Sequence, residues 1–286
     1  MAAAELGQVI HEIRQRRGIL LKDLGGTVSV STLSRVERGQ ASLSLADLSQ
    51  VLQGLGTSVS EVVGQIDCVS PFLEVWQAFG RAAAHDDVAC LDTILSSYQN
   101  RSDYVGRLVW LSAQGWKQRN FSARRMPELL GTELTGLLLK PESWYQFEYD
   151  IAGVAVCALP LAEVRRVVRR AAAEYTKDAT ARYEAPFLVL LYNVAYVAAT
   201  NQDLALADMM LGVIRGIPTS RQTLFVKYRM TFLTLSLNAK FHPSPLLASQ
   251  LTQLIATMKL IGASNFAAQD AEMLRTFQIK LPGVSD

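Results

Sequence analysis

The chain is sparing with the residues that build covalent or metal-held structure. Its 286 residues include only three cysteines, Cys68, Cys90 and Cys157, and three histidines, His11, His85 and His242. They are scattered and no CxxC pair occurs, so neither a disulfide framework nor a metal site with regular ligand spacing is expected. An odd, dispersed set of cysteines reads as reduced thiols in a cytoplasmic protein. Glycine-rich phosphate loops, GxSxG and HExxH are also missing. No cofactor, metal or catalytic residue is therefore expected, and nothing favours an enzyme. The start, "MAAAELGQVI", lacks the basic region and apolar run of a signal peptide. The most apolar window, "APFLVLLYNVAYVAA" (185–199), is shorter than the roughly 18 residues of a spanning helix and carries Asn193, so it reads as a buried helix and no membrane is expected. The net charge of +2 is too small to argue for nucleic acid by itself.

Strand alternation is nearly absent as well, and helical periodicity dominates. Half the residues are apolar and 19% charged, a globular composition at a length that allows one large or two ordinary domains. Leu6, Val9, Ile10 and Ile13 share a helical face that Gly18 closes. A short second helix covers Leu20 to Leu24, and Gly25-Gly26 breaks it. Ser29 caps a third helix ending at Gly39, Ser44 a fourth through Leu55, and Ser58 starts a short fifth. This predicts an all-α, five-helix domain over residues 1–66, with "GQIDCVSP" (64–71) as the junction. From 71 to 286 the helices lengthen, with predicted spans 71–84, 86–98, 102–119, 127–140, 142–158, 160–177, 181–199, 202–215, 220–240, 244–261 and 264–280. Their joints are short, which makes neighbours antiparallel. "AAAHDDVACLDTIL" (82–95) echoes "AATNQDLALADMML" (198–211): small residues, a polar turn at Asp87 or Asp203, then a second helix. That is the unit of a tetratricopeptide-like array, against the alternative of a non-repetitive bundle with alanine-rich packing.

"STLSRVERGQ" (31–40) is the stretch that points to function. Leu33 and Val36 face inward, which turns Ser31, Thr32, Ser34 and Arg35 outward, with Arg38 just beyond. Arg14, Arg16 and Arg17 gather near the end of the first helix. This is the layout of a helix-turn-helix, whose second helix enters the major groove of double-stranded DNA. Arginine suits the guanine edge, and serine or threonine reaches bases or phosphates. Glu37 gains nothing from the dipole at its helix end, so it is expected to pair with a cation, Arg14 being the candidate. Residues 1–66 hold six basic and six acidic residues. Affinity needs phosphate neutralisation, so one copy should bind weakly and a homodimer is expected.

"LGQVIHEIRQRRGI", "STLSRVERGQASLSLADLSQVLQGL" and "SVSEVV" resemble the Cro/repressor type of helix-turn-helix, and most of all the Rgg (GadR/MutR) transcriptional regulators of Gram-positive bacteria. "ESWYQFEYDIAG" (142–153), "LLYNVAYVA" (190–198) and "LTQLIATMKLIGASNFAAQDAEML" (251–274) resemble later parts of that family. The resemblance implies a homodimer whose tetratricopeptide-like domain binds a short hydrophobic signalling peptide on its concave face and so adjusts transcription. The chain departs from the pattern at Gln8, His11 and Glu12, where relatives are more basic, and at Leu20 and Gly25. A cysteine that some relatives carry near Leu45 is absent, and "AGVAVCAL" (152–159) is apolar where some relatives place Asn and Arg.

A peptide brings unpaired backbone groups, so its pocket needs polar side chains among apolar walls. Asn193 matches an asparagine of the family, and Tyr183, Leu190, Asn193 and Val197 are expected to line the groove from one helical face. Thr223 and Lys227 are expected from "TLFVKYRMTFLT" (223–234), with Tyr228 and Arg229 on adjacent faces. The alternative for Asn193 is a buried amide bonded to a neighbouring helix. "EVRRVVRR" (163–170) reads as a solvated helix face, and Trp110, Trp116, Trp144, Tyr145 and Phe147 as core. Two other readings remain for the whole chain: a helical-repeat adaptor for a protein partner, and a ligand-free repressor.

Overall fold

The computed structural model describes residues 2–24, 26, 28–63, 75, 76, 78–82, 87–121, 126–177 and 180–280. The expected junction 64–71, most of the helix expected from 71, and Gly25, Cys68, Ala83, Ala84 and His85 lie outside these. Among the described residues the chain is all helical, without a strand. It forms two compact units, 1–78 and 79–286.

The first unit holds α1 (Ala2–Arg16), a 3-10 turn (Leu21–Leu24), α2 (Val30–Glu37), α3 (Leu45–Leu55) and α4 (Val59–Val63). Ser29 and Ser44 cap α2 and α3 as expected, their hydroxyls accepting from the Thr32 and Asp47 amides at 3.2 and 3.1 Å. Gly18 and Gly39 end their helices at φ +66° and +69°, a region costly for a side chain. Ile10, Leu24, Leu33, Val36, Val51, Leu52, Leu55 and Val62 close into one core. Gly7 marks where α1 crosses α2: a Cβ there would stand 1.9 Å from the Val36 carbonyl oxygen, so only glycine permits this approach.

The second unit runs α5 (Val88–Tyr98), α6 (Tyr104–Phe121), α7 (Glu128–Leu139), α8 (Gln146–Ala155), α9 (Leu161–Tyr175), α10 (Glu184–Thr200), α11 (Leu204–Gly216), α12 (Leu224–Phe241), α13 (Pro245–Leu260) and α14 (Ser264–Thr276). The aspartates of the two echoed segments act alike. Asp87 accepts from the Cys90 amide at 3.0 Å and Asp203 from the Leu206 amide at 3.2 Å, each capping the helix that follows. α10 packs against α8, α9, α11 and α12, and its apolar run is buried on nearly every side. Among the described residues no helix is long and apolar enough to cross a membrane. The arginine run of α9 is more engaged than a solvated face requires. Arg165 reaches Asp203, Arg166 pairs with Glu163, and Arg170 donates to the Pro141 and Glu142 carbonyls.

Candidate functional site

α2 presents the arrangement its sequence predicts. Leu33 and Val36 are buried, Ser31, Arg35 and Arg38 are exposed, and Thr32 and Ser34 are half-buried beside them. The hydroxyls of Ser31 and Thr32 each lie 2.9 Å from the Ser29 hydroxyl, gathering polar groups at the helix N-terminus. Among the described residues Arg35 and Arg38 make only backbone contacts, to the Gln40 carbonyl at 3.5 Å and the Ser34 carbonyl at 3.1 Å, and neither is in an ion pair. A guanidinium held this loosely keeps its donors for another acceptor.

The arginines of α1 separate into different roles. Arg14, expected among the DNA contacts, is instead buried and committed within the unit. Its Nε and terminal nitrogen donate to the two Glu37 carboxylate oxygens at 2.6 and 2.8 Å, and another nitrogen donates to the Ile19 carbonyl at 3.0 Å. The expected Arg14–Glu37 pair thus forms, and it removes Arg14 from the outer surface. His11 approaches Glu37 at 2.7 Å. Burial pushes the Glu37 carboxyl up, but the hydrogen bonds from Arg14 and His11 outweigh it and hold it below the usual carboxylate range. Arg17 donates to the Leu55 carbonyl at the end of α3. Arg16 is exposed in a 3.4 Å pair with Glu12, a contact cheap to exchange for a phosphate.

In the second unit several expected ligand residues serve the fold. Leu190 and Val197 lie in the core, because the open face of α10 is set one residue away, at Val189, Asn193, Tyr196 and Thr200. Thr223 is also buried, its hydroxyl accepting from the Ser220 amide at 2.8 Å in the turn before α12. These three do not line an open groove, which corrects the sequence-based expectation. Asn193 Nδ2 donates to the Gly153 carbonyl at 2.8 Å. That carbonyl belongs to the last turn of α8, where helical acceptors lose their partners, so the amide completes a neighbouring helix. Lys227 is spent in the same way, donating to the Ile214 and Ile217 carbonyls where α11 ends. Tyr228 and Arg229 both bond to Asp270 of α14, which is fully buried, and Arg229 stands over the Tyr192 ring at 5.5 Å. Burial pushes the Asp270 carboxyl up against the opposing pull of Arg229 and Tyr228, and it pushes the Tyr192 hydroxyl up to about 12. Tyr183 stacks on Tyr149 with ring centroids 5.8 Å apart.

Sequence reasoning missed Asp150. It is half-buried on α8 and, among the described residues, accepts only from the Gln146 amide, at 3.0 and 3.1 Å, without an ion pair. Burial pushes its carboxyl up. Its residue type alone gave no sign of this burial. Among the described residues no group of His, Cys, Asp and Glu is placed to hold a metal.

This is the architecture of a helix-turn-helix protein with an all-helical second unit: residues 5–63 match the helix-turn-helix domain family. The whole chain shares its fold with solved pheromone receptors. The Rgg2 receptor for SHP pheromone from Streptococcus dysgalactiae superposes with a TM-score of 0.71 at 17% identity, covering 94% of this chain and 98% of that one. A bacterial peptide pheromone/receptor complex gives 0.76 at 16%, covering 96% and 99%. The PrgX/iCF10 complex gives 0.77 at 16%, covering 98% and 99%. No curated protein matches the chain in sequence. The fold is therefore of the Rgg and PrgX type.

Proposed function

We propose that this chain is a cytoplasmic, sequence-specific DNA-binding transcriptional regulator of the Rgg type, active as a homodimer and controlled by a short hydrophobic peptide. The observation that carries the DNA-binding role is α2. Two buried residues fix it to its core, while Ser31, Thr32, Ser34, Arg35 and Arg38 form a polar face whose two guanidinium groups have no acid partner among the described residues. Arg16 and Arg17 add positive charge to the same unit, and two copies supply the phosphate contacts that one near-neutral domain lacks. The peptide reading is supported by the fold shared with proteins solved as pheromone receptors and pheromone complexes. The surface assigned to the peptide is the α8–α10 face of Val189, Asn193, Tyr196 and Asp150, apolar and acidic rather than basic.

Fluorescence anisotropy with a labelled promoter fragment from beside the protein's own gene tests the reading. The wild type binds with a steep salt dependence, and Arg35→Ala loses about 1–3 kcal/mol, the worth of a base-edge contact. Equal binding by both proteins would refute α2 as the reading helix. Analytical ultracentrifugation of the full chain decides the dimer.

A further inference from the structure

A groove between α11 and α12 plays no part in the surfaces above. It encloses about 320 Å³, at the lower end of the range for small-ligand sites. Leu211, Leu237 and Phe241 give it an apolar lining, and Phe241 is still 45% exposed, so the apolar surface is not covered by the chain itself. Asp208 and Arg215 lie on the same wall, and Asn238 stands on the opposite one.

Isolated surface charges are commonly just solvated. These two differ in facing a single groove with opposite signs while neither side chain makes an ion pair or a hydrogen bond among the described residues. They sit two turns apart on α11, about 10 Å along the axis, too far to satisfy each other. Such a site complements an elongated dipolar molecule with a cation at one end, an anion at the other and an apolar body. An extended peptide rises about 3.3–3.6 Å per residue, so about three residues separate its terminal ammonium and carboxylate by this distance. The Asn238 amide, able both to donate and to accept, suits a peptide unit.

We propose that the α11–α12 groove binds a short apolar peptide of about three residues with both termini free, its ammonium at Asp208 and its carboxylate at Arg215. This assignment rests neither on DNA binding nor on the α8–α10 face. Calorimetric titration of the full chain with trileucine tests it. The expected result is saturable binding at one site per chain, weakened at least tenfold when the peptide is N-acetylated or C-amidated. Asp208→Asn should make free and acetylated peptide bind alike, and Arg215→Gln should make free and amidated peptide bind alike. The proposal is overturned by no saturable binding, by blocked peptides that bind the wild type as free ones do, or by discrimination that survives in both charge variants. Loss of binding in Asn193→Ala with retention in Asp208→Asn overturns it too, by moving the site to α8–α10.

Discussion

Asn193 of α10 donates from Nδ2 to the carbonyl of Gly153 in the last turn of α8, at 2.8 Å. Removing the amide takes one hydrogen bond from a part-buried carbonyl that keeps a weak contact from the Cys157 thiol, a loss of about 0.5–1.5 kcal/mol. Asn193→Ala should therefore lower the stability of the second unit by that amount, measured by denaturant unfolding followed through tryptophan fluorescence. Unchanged stability would show that the amide's role lies in ligand contact alone.

The Arg14–Glu37 pair joins α1 to the end of α2 in a buried setting. Glu37→Ala leaves Arg14 buried without its partner, and the expected loss is about 3–5 kcal/mol. Thermal unfolding of the first unit by calorimetry measures it.

The same carboxyl sets a pH dependence. Its folded value lies below the ordinary 4.5, so the folded state holds fewer protons than the unfolded one. The stabilisation is complete above 4.5 and fades as pH falls through the folded value. The melting difference between wild type and Glu37→Gln should thus be constant near neutrality and close in acid. A difference that widens in acid would contradict this sign.

Asp270 receives both Tyr228 and Arg229 and is fully buried. Asp270→Ala should unfold the α12–α14 packing at markedly lower denaturant, and Tyr228→Phe should cost only about 1 kcal/mol, since the Arg229 contact remains. Equal effects would mean that the tyrosine, not the arginine, anchors the acid.

Gly7→Ala places a methyl against the α2 backbone, which has no side chain to swing away. We expect a loss at or above the upper end of about 1–3 kcal/mol in the first unit, with DNA binding lost and the tryptophan-bearing second unit intact by near-ultraviolet circular dichroism.

The features legible in the sequence are those written locally. Ser29, Ser44, Asp87 and Asp203 act through an amide three residues on, so the residue type and the break in periodicity suffice to place them. Leu33 and Val36 were legible because a short helix with two apolar residues has one way to face its core. The α10 face was not. An almost wholly apolar helix has no polar side to orient it, so Leu190 and Val197 fell on the wrong side of a one-residue ambiguity. Lys227, Tyr228 and Arg229 look like free polar groups in sequence, and only the neighbouring helix ends and Asp270 show them occupied. Gly7 gave a faint signal, since a glycine inside a helix usually marks close packing.

Because α1 meets α2 backbone to backbone at Gly7, no rotamer change can re-aim the polar face of α2 within its unit. The first unit then behaves as a rigid stamp. On the proposed function, a signal that alters its use would shift the stamp as a whole, or change the spacing between two of them, rather than recut its face.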